Sequence, residues 1–193
     1  MLDVGAPGAW DAGGCVHPQV VLAGPRDLRL YYSSPDVATG VFRIGMARSA
    51  DGLTWTRQGV VLAPEAESAA FDGGGVTAPS VHRTGPSSWV MFYEAHHASS
   101  RARSIGVATS SDGVRWSRPA GVQPILSSQG RPSSSWDAGG CGAPYGVQMA
   151  GTRWRLYYEG YAQGADVATG IGVALSGTEE DAFARPFKRR VAV

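Results

Sequence analysis

The chain has 193 residues, of which 43% are apolar and 27 are glycine, and its formal net charge is +1. This length and apolar content suffice for one ordinary domain with a core and argue against disorder. The near-neutral charge, with lysine and arginine scattered along the chain, argues against a nucleic-acid partner. No apolar run approaches the length of a membrane span, and the first residues lack the pattern of a secretory signal. We therefore expect a soluble chain whose compartment is unknown.

The sequence repeats one unit three times. The hexapeptide WDAGGC opens the first and third copies, and a looser version, FDGGGV, opens the second. The aspartates of these motifs, Asp11, Asp72 and Asp137, are 61 and 65 positions apart (Asp11 to Asp72, Asp72 to Asp137). An aromatic pair follows each aspartate by about twenty residues, and an Ile-Gly segment follows that pair. The copies are bounded at approximately 10–64, 71–128 and 136–193.

Each copy carries the pattern of four β-strands. Short runs of β-branched and aromatic residues alternate with Gly, Pro, Asp or Ser, and helical spacing occurs only weakly, near residues 178–185. In copies one and two an Asp-Gly hairpin precedes the fourth strand. The predicted strands are VHPQVVL, RLYYS, RIGMARS and TRQGVVL in copy one, TAPSVHR, VMFYE, SIGVATS and VQPIL in copy two, and GAPYGVQM, RLYYE and GIGVALS in copy three.

A repeat of this length with four strands is the signature of a propeller blade. The predicted fold class is therefore all-β: a β-propeller of four-stranded blades, three of which are present in this chain. A β-sandwich would explain the strands equally well but gives no reason for the repeat. In a propeller the first strand of each blade lines the axis, so paired glycines would let its backbone approach neighbouring inner strands. These pairs are Gly13 and Gly14, Gly74 and Gly75, and Gly139 and Gly140.

The two cysteines, Cys15 and Cys141, occupy the same position of copies one and three. This equivalence indicates a repeated small buried residue. A disulfide between them is the less favoured alternative, because inner strands two blades apart are normally too distant for the bond.

The order of motifs resembles a known blade. The pattern Trp/Phe-Asp-x-Gly-Gly, x-Pro-x-Val, aromatic-Tyr and Ile-Gly-x-Ala-x-Ser-x-Asp-Gly-x-x-Trp is similar to that of the five-bladed arabinanase, levansucrase and invertase superfamily, which holds glycoside hydrolase families 32, 43 and 68. The resemblance covers roughly residues 10–190. It implies a carbohydrate substrate or ligand in a central funnel. It also implies two blades beyond the three seen here, so we expect additional blades outside this chain or self-association.

One face of the predicted disc collects carboxylates. Strands one and two of a blade are antiparallel, so the start of the first and the end of the second lie on the same face. Cleavage of a glycosidic bond needs one neutral acid and one carboxylate at such a place. The candidate catalytic residues are Glu159, Glu94, Asp137, Asp72 and Asp11.

The two glutamates are the stronger candidates, because copy one has Ser33 at the equivalent position. An aspartate present in every copy is more typical of a structural role, capping the amides of strand one. Glu159 is the expected general acid. Tyr157, Tyr158 and Tyr161 would form a sugar-stacking platform beside it and raise the pKa of its carboxyl by partial desolvation.

Glu94 is expected to stay ionised beside His96 and Arg101, as suits a base or a stabilising carboxylate. A metal site formed by Glu94, His96 and His97 is disfavoured, because adjacent residues on an extended segment point to opposite sides. No cofactor is expected. The candidate substrate-binding residues are His17, His96, Tyr145 and Tyr161.

The resemblance fails at one position. In the superfamily an aspartate often precedes the strand-one proline and serves as base or stabiliser, whereas His17, Ala78 and Ala143 stand there in this chain. That departure favours the alternative function, a non-catalytic carbohydrate-binding or scaffold propeller. The asymmetric glutamates favour the glycosidase.

Overall fold

The computed structural model describes residues 1–66, 70–119, 123–177, 183 and 186–190. Within these ranges the chain is all-β, with no helix and hence none that could span a membrane. The weak helical pattern near 178–185 lies, apart from Phe183, outside the described residues. The strands are β1 (Val16–Gly24), β2 (Asp27–Pro35), β3 (Phe42–Ser49), β4 (Thr56–Leu62), β5 (Gly75–Gly85), β6 (Ser88–His96), β7 (Arg103–Ser110), β8 (Leu126–Ser127), β9 (Gly140–Gln148), β10 (Trp154–Tyr161), β11 (Gly170–Leu175) and β12 (Lys188–Arg189).

The strands form three antiparallel blades. In each blade every strand pairs with the next along the chain, with β1 to β4 in blade one, β5 to β8 in blade two and β9 to β12 in blade three. The predicted class, an all-β propeller with three four-stranded blades in this chain, is thus confirmed. The fourth strand is long only in blade one, since β8 and β12 have two residues each. The prediction VQPIL therefore overlaps β8 only at Leu126.

The core lies between the blades. Blades one and two enclose one apolar cluster, in which the ring of Tyr31 meets Trp116 edge-on at 6.1 Å between centroids. Blades two and three enclose a second cluster, in which Phe92 meets Trp154 edge-on at 5.1 Å. Blades one and two each bury an apolar face against the blade that follows, and this arrangement accounts for the repeat that a sandwich would leave unexplained.

Each inner strand bends at its proline. The pairing of strand one with strand two shifts register there in all three blades. The residue before the proline has a left-handed backbone, with φ of 52° at His17, 47° at Ala78 and 43° at Ala143. Such a bulge re-aims the backbone N–H of one residue away from the ladder of its own sheet. The donor becomes available to a neighbouring blade.

The paired glycines differ in their neighbours. A Cβ on Gly139 would lie 2.2 Å from the carbonyl oxygen of Ala162, which follows strand two of the same blade. Gly140 has φ of +156°, and a Cβ there would lie 3.0 Å from the Cβ of Arg103. The expected approach to a neighbouring inner strand is therefore wrong. Gly140 approaches the start of β7, the third strand of the preceding blade, with which it forms the parallel pair Arg103–Gly140.

Both cysteines are free thiols. Cys141 is buried, and its Sγ accepts a hydrogen bond from Nη2 of Arg189 at 3.1 Å. Blade two has the buried Val76 at the equivalent position. The position is therefore buried in blades two and three, whereas Cys15 in blade one is only half-buried.

Candidate functional site

The three repeated aspartates lie inside the blades, fully buried. In blade two the carboxylate of Asp72 accepts hydrogen bonds from the hydroxyl of Tyr93 at 2.9 Å and from Nε of Arg118 at 2.7 Å. The other blades repeat this triad, with Asp11, Tyr32 and Arg57 in blade one and Asp137, Tyr158 and Arg189 in blade three.

The triad corrects the expected position of these aspartates. Their carboxylates bind a hydroxyl and a guanidinium rather than the amides of strand one, and so tie the start of each blade to its later strands. Burial by itself would raise the pKa of Asp137, but the hydrogen bonds and charges of Arg131, Arg189 and Tyr158 lower it. A fully buried carboxylate in an ion pair does not face a ligand on the axis.

Glu94 lies at the end of β6, between blades two and three. Only 6% of the residue is exposed. One carboxylate oxygen hydrogen-bonds Nε2 of His96 at 2.8 Å, the other accepts from the backbone N–H of Ala143 at 2.9 Å, and Nε of Arg103 lies 3.9 Å away. Burial by itself would raise the pKa of Glu94, but these partners lower it. The basic neighbour is Arg103 and not the predicted Arg101, which lies in an exposed turn.

Glu159 occupies the same strand-two position in blade three. Its carboxylate accepts a hydrogen bond from the hydroxyl of Tyr161 at 2.8 Å. The guanidinium of Arg103 lies over the ring of Tyr161, 4.3 Å from the centroid. Burial raises the pKa of Tyr161 to about 12, so this hydroxyl stays protonated and donates. Arg103 thus connects Glu94 to the Tyr161–Glu159 pair across the boundary between two blades.

The predicted tyrosine platform is divided. Successive side chains of a strand point to opposite faces, so Tyr158 points away from Glu159 and belongs to the buried triad with Asp137. Tyr161 is 7% exposed because the guanidinium covers it. Tyr157 is 40% exposed and pairs in register with Tyr145, which is 59% exposed. The accessible aromatic surface near Glu159 therefore consists of Tyr157 and Tyr145.

The histidines are distributed over three environments. His17 is exposed at the start of β1, and its Nδ1 hydrogen-bonds Oγ1 of Thr77 in blade two at 3.0 Å. His96 is held by Glu94, whereas the ring of His97 bonds within its own loop, 3.3 Å from Oγ of Ser99. Among the described residues no group of three His, Cys, Asp or Glu side chains could hold a metal ion.

Sequence reasoning missed the arginines of this site. Arg103 begins β7 directly opposite His96 in the β6–β7 ladder, a position that an antiparallel reading of the two strands would have identified. The triad arginines also left a signal, because Arg57 and Arg118 each follow their aspartate by 46 positions.

No family model matches this sequence, and no curated protein matches it. Solved structures do resemble the fold. A glycosyl hydrolase from Bacteroides ovatus superposes with a TM-score of 0.67 at 17% identity, over 95% of this chain and 50% of the other. A family 117 glycoside hydrolase from the marine bacterium Zobellia galactanivorans superposes with a TM-score of 0.68 at 19% identity, over 91% of this chain and 55% of the other.

A third similar structure comes from family 130, mannoside phosphorylases that include glycoside hydrolases targeting β-1,2-mannosidic linkages in Candida mannan. Its TM-score is 0.67 at 16% identity, over 95% of this chain and 50% of the other. The chain therefore spans about half the length of the solved structures it matches. Identities this low establish the fold alone.

Proposed function

We propose that this protein binds a glycan on the face that carries Glu94 and Glu159 and hydrolyses a glycosidic bond there. The observation that carries the proposal is the arrangement of two glutamates from adjacent blades on one face, linked by Arg103 and Tyr161. The fold supports it, since similar solved structures include glycosyl hydrolases. Glycosidases use two carboxylates with different protonation states.

The two glutamates take different roles, and the surroundings of Glu94 favour its ionised form. Glu94 has a lowered pKa and is ionised near neutral pH, so it stabilises the positive charge of the transition state or activates the attacking water. Glu159 donates its proton to the leaving oxygen, and the hydroxyl of Tyr161 orients its carboxyl. Sugar rings stack on Tyr145 and Tyr157, whose faces are exposed.

The remaining polar groups of this face bind hydroxyls of the glycan. His17 lies near the start of β1 and His96 at the end of β6, and the antiparallel order of the strands places both on the face of the glutamates. Arg103 presents a partly exposed guanidinium beside Glu94. A cleft of about 880 Å³ opens beside Arg103 and is lined also by His97 and Gln129. This space would accept further sugar units.

A second function, glycan binding without cleavage, is favoured by a specific observation. Glu94 is almost fully buried and uses one carboxylate oxygen to bridge two blades through the N–H of Ala143. No aspartate precedes the strand-one prolines, where His17, Ala78 and Ala143 stand. A propeller of this kind would keep the binding face and lack the second reactive carboxylate.

The experiment is a screen of the protein on aryl furanosides, aryl pyranosides and fructans. We expect Glu159→Gln to lose about 10²–10⁴-fold activity on substrates with poor leaving groups, where protonation matters most, and to retain more on activated aryl substrates. Glu94→Gln should lose activity on both kinds of substrate. Asp51→Asn, which alters an exposed carboxylate in the β3–β4 hairpin away from this face, is the control and should behave like the parent.

The outcomes separate the two functions. Unchanged turnover of poor leaving groups by Glu159→Gln would remove Glu159 from the mechanism. No turnover by the parent, together with glycan binding measured by calorimetry, would assign the protein to the non-catalytic class. Neither turnover nor binding would refute the glycan proposal.

A further inference from the structure

Both carboxylate oxygens of Glu94 are already engaged. Oε1 hydrogen-bonds Nε2 of His96 at 2.8 Å and lies 3.9 Å from Nε of Arg103, and Oε2 accepts from the N–H of Ala143 at 2.9 Å. The side chain of Glu94 is 8% exposed, whereas those of His96 and Arg103 are 27% and 35% exposed. A molecule that approaches this face therefore meets His96 and Arg103 before it meets the carboxylate.

His96 is the neighbour of Glu94 that can accept a proton. It stands two positions after Glu94 on β6, and side chains two apart on a strand share a face. The lowered pKa of Glu94 keeps its carboxylate ionised near neutral pH, and an ionised carboxylate only accepts hydrogen bonds. In the neutral imidazole Nε2 therefore carries the hydrogen, and Nδ1 has a free lone pair.

The ring of His96 is fixed at its backbone and open at Nδ1. His96 pairs in register with Gly75 and with Arg103, and its carbonyl accepts from the N–H of Gly74 at 2.8 Å. Among the described residues Nδ1 has no hydrogen-bond partner. A Cβ on Gly75 would lie 3.8 Å from Nδ1, so the glycine leaves that side of the ring uncovered.

The glutamate of blade three has a different partner at the same place. Glu159 accepts a hydrogen bond from Tyr161, which also stands two positions later on its strand. Burial raises the pKa of Tyr161 to about 12, so its hydroxyl keeps its proton. The two glutamates thus hold different groups: a hydroxyl that stays protonated beside Glu159, and a ring with a basic nitrogen beside Glu94.

We propose that His96 is the general base of the reaction and that Glu94 is the residue that positions it, acting on water through His96 rather than by contact. This inference rests on the proposed glycoside hydrolysis and assigns its proton transfers. As the oxygen of a water bonds to the anomeric carbon, one of its protons passes to Nδ1 of His96. The bond to the leaving oxygen breaks with its electron pair on that oxygen, which takes the proton of Glu159.

The carboxylate of Glu94 stabilises the imidazolium that forms in this step. Solvent then removes the proton from His96 and returns one to Glu159, so the enzyme is restored and one water is consumed.

The assignment also fixes the configuration of the product. Retention requires a carboxylate that bonds to the anomeric carbon, and Glu94 is not free to do so because it is largely buried with both oxygens engaged. With His96 as the base, water attacks directly on the side opposite to the leaving group. We therefore expect inversion at the anomeric centre.

The experiment measures kcat, KM and the first-formed anomer, the last by proton NMR, on the aryl glycoside or fructan that the parent cleaves best. His96→Gln should lower kcat by about 10²–10⁴-fold and change KM much less. In His96→Ala, imidazole added to the solution should restore part of the lost kcat. Arg115→Gln, an exposed residue beyond the other end of β7 from Arg103, is the control and should behave like the parent.

A spectroscopic measurement tests the pair of Glu94 and His96 without turnover. Nitrogen-15 NMR of the imidazole distinguishes a hydrogen on Nε2 from one on Nδ1. We expect the Nε2–H form in the parent and a mixture of both forms in Glu94→Gln, because an amide can either accept from Nε2 or donate to it. A parent with the hydrogen on Nδ1 would overturn the proposal.

The other outcomes separate this proposal from the function on which it rests. Parent-like kcat in His96→Gln, or retention of the anomeric configuration, would overturn the role of His96 and leave the glycosidase standing. A parent that cleaves none of the substrates would overturn both. Circular dichroism checks that each variant is folded, and His96→Asn replaces any variant that is not.

Discussion

The buried aspartate of each copy explains its own repetition. A carboxylate removed from water without a partner costs several kcal/mol, so its burial requires charged and hydrogen-bonding neighbours. Asp72 has both in Tyr93 and Arg118, and the guanidinium also lies 5.8 Å from the centroid of the tyrosine ring. Every blade has to fasten the turn before its inner strand to later strands. The aspartate is therefore repeated because each blade needs it to fold.

Asp72→Ala should lower the free energy of unfolding by about 3 kcal/mol, because it removes the buried charged partner of Arg118 and leaves this guanidinium only the half-exposed Glu65 as a counter-charge. Tyr93→Phe should cost about 1.5–3 kcal/mol, since it removes the hydroxyl that donates to Asp72 and accepts from Nε of Arg118. Asp166→Ala in an exposed loop is the control, expected within about 0.5 kcal/mol of the parent. Urea denaturation gives all three values. An Asp72→Ala variant as stable as the control would contradict the structural role of the triad.

The hexapeptide WDAGGC contributes a turn and two close approaches at the start of a blade. Its second glycine takes positive φ in all three copies, +143° at Gly14, +146° at Gly75 and +156° at Gly140. Other side chains rarely adopt this backbone. At Gly75 a Cβ would also lie 3.3 Å from the backbone N of Phe42, in the third strand of blade one. In blades two and three this glycine lies against the third strand of the blade before it.

Gly140→Val should lower the free energy of unfolding by on the order of 1–3 kcal/mol through overpacking against Arg103, with backbone strain in addition. The matched control is Gly24→Val at the end of β1, where a Cβ would have nothing within 4 Å. Thermal melts of both variants beside the parent measure the difference. Equal melting of Gly140→Val and Gly24→Val would mean that the close approach at Gly140 does not constrain the fold.

Across the whole molecule, the fold is stabilised by the packing of successive blades against one another. The middle blade shows this most directly: the first seven residues of β5 are all buried, whereas the later residues of β9 alternate between buried and exposed.

His82 lies at the boundary between blades two and three. Its ring meets Phe92 of blade two and Trp154 and Tyr145 of blade three at 5.1 to 6.3 Å, and it hydrogen-bonds Ser80.

This histidine should make stability depend on pH. Burial lowers the pKa of His82 from 6.5 to about 4, so between these values the unfolded chain binds a proton that the folded chain does not. The contribution of neutral His82 is therefore fully present above pH 6.5 and is lost as pH falls toward 4. We expect the free energy of unfolding, measured with urea, to fall between pH 6.5 and 4 in the parent. This fall should be smaller in His82→Gln and unchanged in His97→Gln. If the free energy of unfolding depends on pH equally in both variants, His82 is not the source of that dependence.

Much of the fold was predictable from the sequence, because a propeller blade is a local unit. The repeat of Asp11, Asp72 and Asp137 identified three blades, and the alternation of apolar residues identified their strands. The candidate site was predictable in part. Glu94 and Glu159 follow from the antiparallel order of strands one and two, and the ionised state proposed for Glu94 agrees with its lowered pKa.

Tertiary structure alone decided what those residues touch. A partner in the next blade is 49 positions away for Glu94 and Ala143 and 45 for Ser33 and Ala78, and no local pattern encodes such a pairing. Burial of the aspartates, the cover of Arg103 over Tyr161 and the hydrogen bond from Ala143 to Glu94 all depend on how blades stack. The sequence by itself determined the strands of each blade and the number of blades, because strand pattern and turn chemistry act within one repeat. The stacking of units decided which carboxylates remain accessible, because accessibility belongs to the boundary between two blades.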